Sequence, residues 1–216
     1  MSNIAMINGY TPLATFSGNV INNMCVVDFG KLAPAKTLLM VKAETGKTAV
    51  VDFEDSLIEV DAQYGAVLSL KGSAAITDVA KITGYDYLGQ KIYEEITLTG
   101  TTAVEGKKAF KYIQQIVIEA TSTSNVTVSR SLKLGLPYRT AKVVAETRDG
   151  VISTTGVLVA PVNTAQSAST GDPRGLFDLK TYASAAHVVA VLLVSPEIFE
   201  IDGKEVGGLF GIPHFA

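Results

Sequence analysis

Residues Ile76–Val128 read ITDVAKITGYDYLGQKIYEEITLTGTTAVEGKKAFKYIQQIVIEATSTSNVTV, and their periodicity decides the fold class. In an extended chain, Ile92, Ile96 and Leu98 point one way, with Tyr93, Glu95 and Thr97 on the other face. Phe110, Tyr112, Ile116 and Ile118 share a face, interrupted by Gln114. Val126, Val128, Leu132 and Leu134 do the same, while Thr127, Ser129, Ser131 and Lys133 face away. A period of two marks half-buried strands; a helix would need spacings of three and four. Arg130 breaks the inward series, which marks either a bulge or an arginine reaching a partner carboxylate.

Turn chemistry separates these runs. Gly84 to Gly89, Gly100 to Thr102 and Glu105-Gly106 are the candidates inside the stretch. Outside it, Asp149-Gly150 and Asp202-Gly203 are hairpin signals, because both residue types tolerate the positive φ of tight hairpin turns. Phe199–Val206 reads as a complete small hairpin. Leu38–Val41, Ala49–Phe53 and Ala66–Leu70 add strands before the stretch. Val188–Val194 adds a fully apolar run, expected to be a buried central strand. The expectation is an all-β chain: a β-sandwich or jelly-roll-like barrel over residues 36–216, preceded by an extended N-terminal arm over 1–35.

The arm is expected from weak periodicity and from Asn8-Gly9 and Ala33-Pro34-Ala35. Ordinary loops capping a barrel are the competing reading. Residues 161–175 form a long loop rich in Ser, Thr, Ala, Asn and Gly, and long loops in compact domains are usually functional or mobile. The C-terminal tail, 207–216, is glycine-rich and apolar, so it should pack on its own domain or on a neighbour.

The chain has 216 residues. Surface scaling gives a folded area of roughly 9,500 Å² and burial of about 70% of the unfolded surface, enough for a core without staples. Charged residues are only 18% and the mean hydropathy is +0.29, which is apolar for a soluble monomer, so either the core is large or partner chains cover much apolar surface. The net charge of −3 carries no basic bias of the kind that drives nucleic-acid binding, and no nucleic-acid partner is expected. Lys107, Lys108 and Lys111 are expected as solvated charges on a sheet edge. No leader-like N-terminus is seen, and His187–Val194 is far short of the ~20 residues that span a bilayer, so no membrane partner is expected.

No catalytic, cofactor or metal site is expected from the motifs. Cys25, the single cysteine, reads as a small buried side chain. His187 and His214 are the only histidines, and each reads as structural, His214 lying in a flexible-looking tail. One Cys and two His show no zinc spacing. Asp52, Glu54, Asp55, Glu59 and Asp61 lack the glycine and spacing of a calcium loop and read as a solvated acidic face. Gly46-Lys47-Thr48 ends like a phosphate-binding loop, but Val41 stands where that loop needs glycine. Gly207-Gly208 and Gly211 lack the strand-to-helix context of a dinucleotide fingerprint. Asn125-Val126-Thr127 matches a glycosylation acceptor but reads as strand sequence.

Ile82-Thr83-Gly84-Tyr85-Asp86-Tyr87-Leu88-Gly89, then Glu94–Thr102, then Gly106–Ile113 form an ordered set. Leu134–Arg139 and Thr170–Gly175 follow in order. Over residues 76–176 this set resembles the virion structural proteins of tailed bacteriophages, most of all capsid decoration, or cement, proteins. The resemblance implies a non-enzymatic protein that binds and stabilises the shell of major capsid protein, and a dimer or trimer is expected because symmetric oligomers are the common solution for soluble subunits. It implies assembly in the bacterial host cytoplasm and residence in the virion. A neck, tail or fibre-base component, a carbohydrate-binding β-sandwich on the virion surface, and a hydrolase on a β scaffold are the alternatives. The expected contacts are the arm, the long loop and the tail, with Leu136, Pro137, Tyr138, Arg139, Asp172, Pro173, Arg174, Gly175, Leu209, Phe210 and Phe215 as interface residues. Asp172 and Arg174 pair either with partner charges or with each other in an internal turn.

Overall fold

A computed structural model describes residues 10–14, 21–32, 36–53, 56–181, 186–195, 198–201 and 204–214. Its strands follow in order. They are β1 (Tyr10–Ala14), β2 (Ile21–Lys31), β3 (Thr37–Ala43), β4 (Lys47–Asp52), β5 (Ile58–Glu59) and β6 (Ala66–Gly72). Next come β7 (Val79–Tyr85), β8 (Lys91–Thr97), β9 (Val104–Phe110), β10 (Tyr112–Ala120), β11 (Ser124–Gly135) and β12 (Thr140–Arg148). Last are β13 (Val151–Ser153), β14 (Val157–Val159), β15 (Leu176–Asp178), β16 (His187–Val194), β17 (Ile198–Ile201) and β18 (Lys204–Gly207). No helix occurs among the described residues.

The strands form three sheets and a hairpin. Sheet I runs β1-β2-β16-β12-β13; sheet II runs β14-β15-β11-β6-β9, with β3 also on β11; sheet III runs β4-β10-β7-β8, with β5 on β10. Antiparallel pairing throughout suits strands that keep one apolar face. The chain is therefore all-β, with a sandwich or barrel architecture, as its period-two runs require.

Ile92, Ile96 and Leu98 are buried on β8, and Val126, Val128 and Leu134 on β11. Asp149 and Gly150 take φ of 50° and 78°, and Arg148 pairs with Val151 across them. This is the two-residue hairpin expected from Asp-Gly. β17 and β18 make the second hairpin, although Asp202-Gly203 lies outside the described residues. β16 is central in its sheet, between β2 and β12. Only one of its faces is deeply buried, through Val188, Ala190, Leu192 and Val194.

Three local expectations are corrected. Glu105-Gly106 is not a turn but lies inside β9. On β10 the pairing register shifts between Ile113 and Gln115, so Ile113 joins Ile116 and Ile118 in the core and Tyr112 does not. On β11, Arg130 stays buried and the register with β6 shifts between Arg130 and Leu134, as the bulge reading expects. The arm does not reach residue 35. Instead β2 pairs with β16 along its length and buries Cys25, Val27 and Phe29 in the common core. The alternation Cys25-Val26-Val27-Asp28-Phe29 carries that strand signal. Asn8-Gly9 and Ala33-Pro34-Ala35 lie outside the described residues.

One core links the sheets. Phe29 of sheet I stacks on Phe177 of sheet II with ring centroids 5.5 Å apart. Phe29 also meets Tyr64 edge-on, and Tyr64 meets Tyr87 edge-on. Each fully buried large apolar side chain in such a core contributes roughly 1.5–3 kcal/mol.

Candidate functional site

The densest chemistry lies where two sheet edges come together. β8 ends sheet III and β9 ends sheet II. No ladder joins them, so their backbone groups need other partners. The long loop supplies several. Glu95 N–H donates to Ala168 O (3.0 Å), and Asp172 N–H donates to Lys107 O (3.0 Å). Ala109 N–H donates to the Asp172 carboxylate (3.1 Å). Glu94 points inward from β8 and accepts from Lys107 N–H. Gly106 makes room for it, since a Cβ there would clash with the Glu94 carboxylate.

Lys108 is fully buried, which corrects its reading as a solvated edge charge. β9 is an edge strand, but at residue 108 the side chain turns inward. Its ammonium donates to Tyr93 O (3.1 Å), Ser167 O (2.7 Å) and His214 O (3.4 Å). One buried cation thus ties β8, the loop and the tail together. Lys107 is exposed, and Lys111 pairs with Glu59 at 2.7 Å.

Beside it sits a sealed ion network. Asp86 caps the β7–β8 turn, accepting from Leu88 N–H (2.9 Å) and Gln90 N–H (2.8 Å). Its other oxygen accepts from the Arg174 guanidinium at 2.9 Å. Arg174 lies 5.0 Å from the Tyr87 ring centroid, and its own N–H donates to Asp172 at 2.9 Å. Its remaining terminal nitrogen meets His214 Nε2 at 3.1 Å. Arginine cannot accept a hydrogen bond, so Nε2 accepts and the ring is neutral with its proton on Nδ1. Burial, the largest cause, holds His214 down at about 4; Asp172 and Asp86 oppose that fall, and Arg174 and Lys108 add to it. Burial pushes Glu94 up to about 7 against the Lys107 amide and the Lys108 charge. Burial likewise lowers Lys108 and raises Tyr87.

These groups form a structural clamp. Asp86, Lys108, Arg174 and His214 have essentially no solvent exposure. Among the described residues no group of three or more His, Cys, Asp and Glu is placed to hold a metal ion.

The structure gathers the expected interface residues into one region and turns most of them inward. Leu136, Pro137, Arg139, Asp172, Pro173, Arg174 and Gly175 are buried, which removes them from the outer surface. Pro137 O accepts from Tyr87 Oη. The Arg139 guanidinium donates to Pro173 O (3.2 Å) and to Asn163 Oδ1. Arg139 N–H donates to Leu209 O at 2.8 Å. Tyr138, Leu209 and Phe210 keep some exposure, with the Tyr138 and Phe210 rings 5.8 Å apart. Phe215 lies outside the described residues. Asp172 and Arg174 therefore take the internal reading. The tail packs on its own domain through His214 and through Gly211, where a Cβ would meet Pro173 O at 2.5 Å.

His187 Nε2 meets Asp28 at 2.6 Å between β16 and β2. Asp52, Glu59 and Asp61 are exposed, while Glu54 and Asp55 lie outside the described residues. Sequence reading missed Asp86, Glu94, Lys108 and the clamp role of His214. A signal was present: Glu94 and Lys108 occupy inward positions of period-two runs.

A different surface lies on the margin of the molecule. Val151–Val159 supplies the end strand of two sheets, β13 for sheet I and β14 for sheet II. Val151 is 70% exposed and Ile152 80% exposed, with Val157 and Val159 also open. An apolar sheet edge of this kind is a template for pairing with another chain.

The chain matches no protein-family model, no curated protein and no solved structure.

Proposed function

We propose that this chain is a non-enzymatic structural protein of a tailed-phage particle, a decoration protein that binds and stabilises the major capsid shell as a dimer or trimer. The observation that carries the reading is the exposed apolar edge at Val151–Val159. A sheet edge with open valine and isoleucine side chains favours lasting contact with another chain. The ordered set of motifs over residues 76–176 supports the phage assignment. The sealed clamp supports a mechanical part: its charges fasten loop, tail and two sheet edges instead of facing solvent. Repetition of such contacts by shell symmetry would add affinity through multivalency.

The test is co-sedimentation with capsids that display the matching shell protein. Binding that Ile152→Lys abolishes supports the proposal; no binding by the wild-type chain refutes it. Copy number per particle separates decoration from a neck, tail or fibre-base place. Decoration copies scale with the shell lattice, whereas tail copies follow the low symmetry of one vertex.

A further inference from the structure

We infer that the outer face of sheet III is a binding groove for an uncharged oligosaccharide. The groove has a volume of about 680 Å³, within the range of small-ligand sites. It is open to solvent and borders the clamp at β8, where Glu94 also lines it and the Lys108 ammonium lies beside the Tyr93 ring.

Register sets its lining. Gln115 pairs with Thr83, and Thr83 with Tyr93, so an amide, a hydroxyl and an aromatic ring form one row across three strands. The next row is Val117, Lys81 and Glu95. At about 4.8 Å between strands, a row spans about 10 Å, a length suited to a short run of sugar rings.

Three features choose the ligand class. Charge does not favour an anion: the lining sets Lys81 and Lys91 against Glu94, Glu95 and Glu119, and Lys81 is already paired with Glu119 at 3.1 Å. The polar groups offer donors and acceptors side by side, which matches a polyol. The Gln115 amide is oriented by its bond to Asp52. Tyr93 supplies a planar apolar surface, and the Lys108 ammonium, 5.3 Å from its ring centroid, holds the ring in place. A platform fixed before binding loses less entropy when a ligand arrives. A peptide strand would find little free ladder here: β7 is paired on both sides, and the β8 edge is already engaged, with Glu95 N–H donating to Ala168 O and Tyr93 O accepting from Lys108. Nucleic acid would meet no excess positive charge.

The test is NMR titration of the isotope-labelled chain. The probes are neutral hexasaccharides of glucose, N-acetylglucosamine and mannose, with hexagalacturonate as the acidic control. At least one neutral probe should shift amides of residues 81–83, 91–95 and 115–119, and the acidic probe should bind more weakly. Tyr93→Ala should weaken binding about tenfold, given the usual size of an aromatic contact, while Tyr93→Phe retains it. Gln115→Ala, a surface change, should also weaken binding and serves if Tyr93→Ala does not fold. The inference is overturned if no neutral probe shifts those residues at millimolar concentration. Tighter binding of the acidic probe overturns it too, as does unchanged affinity in a folded Tyr93 or Gln115 variant. Capsid co-sedimentation reads a different surface, so the two proposals fail separately.

Discussion

Glu94 and His214 should oppose each other in the pH dependence of stability, and removing either should expose the other. Glu94 rises from an ordinary 4.5 to about 7 in the folded chain. Between those values the folded state binds more protons than the unfolded state. Its contribution is full below pH 4.5 and is lost as pH rises through about 7. His214 falls from an ordinary 6.5 to about 4. There the unfolded state binds more protons, so its contribution is full above pH 6.5 and is lost as pH falls through about 4. Each displacement spans about 2.5 pH units, equivalent to about 3 kcal/mol. Neither group lies among the charges that shift the other. Carboxylates lowered by their partners, such as Asp28, Glu44 and Asp178, act below this window. The wild-type chain should therefore be nearly level between about pH 4.5 and 6.5. His214→Gln should lose stability as pH rises across that window, at up to about 1.4 kcal/mol per unit. Glu94→Gln should gain stability as pH rises, with a similar slope. Urea unfolding in half-unit pH steps, followed by circular dichroism at constant ionic strength, measures all three curves. A level curve for His214→Gln, or a falling one for Glu94→Gln, refutes the reasoning.

Three further outcomes are expected. Arg174→Ala leaves Asp86 buried without its cation and should cost about 3–5 kcal/mol in urea melts, with earlier protease cleavage in the C-terminal tail. Gly106→Ala places a Cβ against the Glu94 carboxylate and should cost about 1–3 kcal/mol; Glu94→Ala should relieve much of that in a double-mutant cycle. Ile152→Lys should change stability by no more than about 0.5 kcal/mol, since the side chain is exposed, and should still abolish capsid co-sedimentation.

Much of the fold is legible residue by residue. Period two marks β8, and Asp149-Gly150 names its hairpin because both positions take positive φ. Apolar continuity marks β16 as a central strand. Errors fall where one local event changes a face: the bulge near Gln114 brings Ile113 inward and displaces Tyr112, and an extra residue in one strand is not visible in composition. The candidate sites are less legible. Leu136–Arg139, Asp172–Gly175 and Leu209–Phe210 were marked as a group and do meet, but mostly facing inward.

The sequence by itself determines the all-β class and local turns such as those at Gly84–Gly89 and Asp149-Gly150, because alternation and turn residues act within a few positions of the chain. Tertiary structure alone decides how the strands divide among sheets, and that division sets everything non-local. It leaves β8 and β9 as neighbouring edges without a ladder, so the loop, Lys108 and His214 are drawn in to satisfy them. It also aligns Gln115, Thr83 and Tyr93 across three strands and leaves Val151 and Ile152 on an open edge. Burial and register join residues far apart in the chain, and no local pattern records which distant strand will be the neighbour.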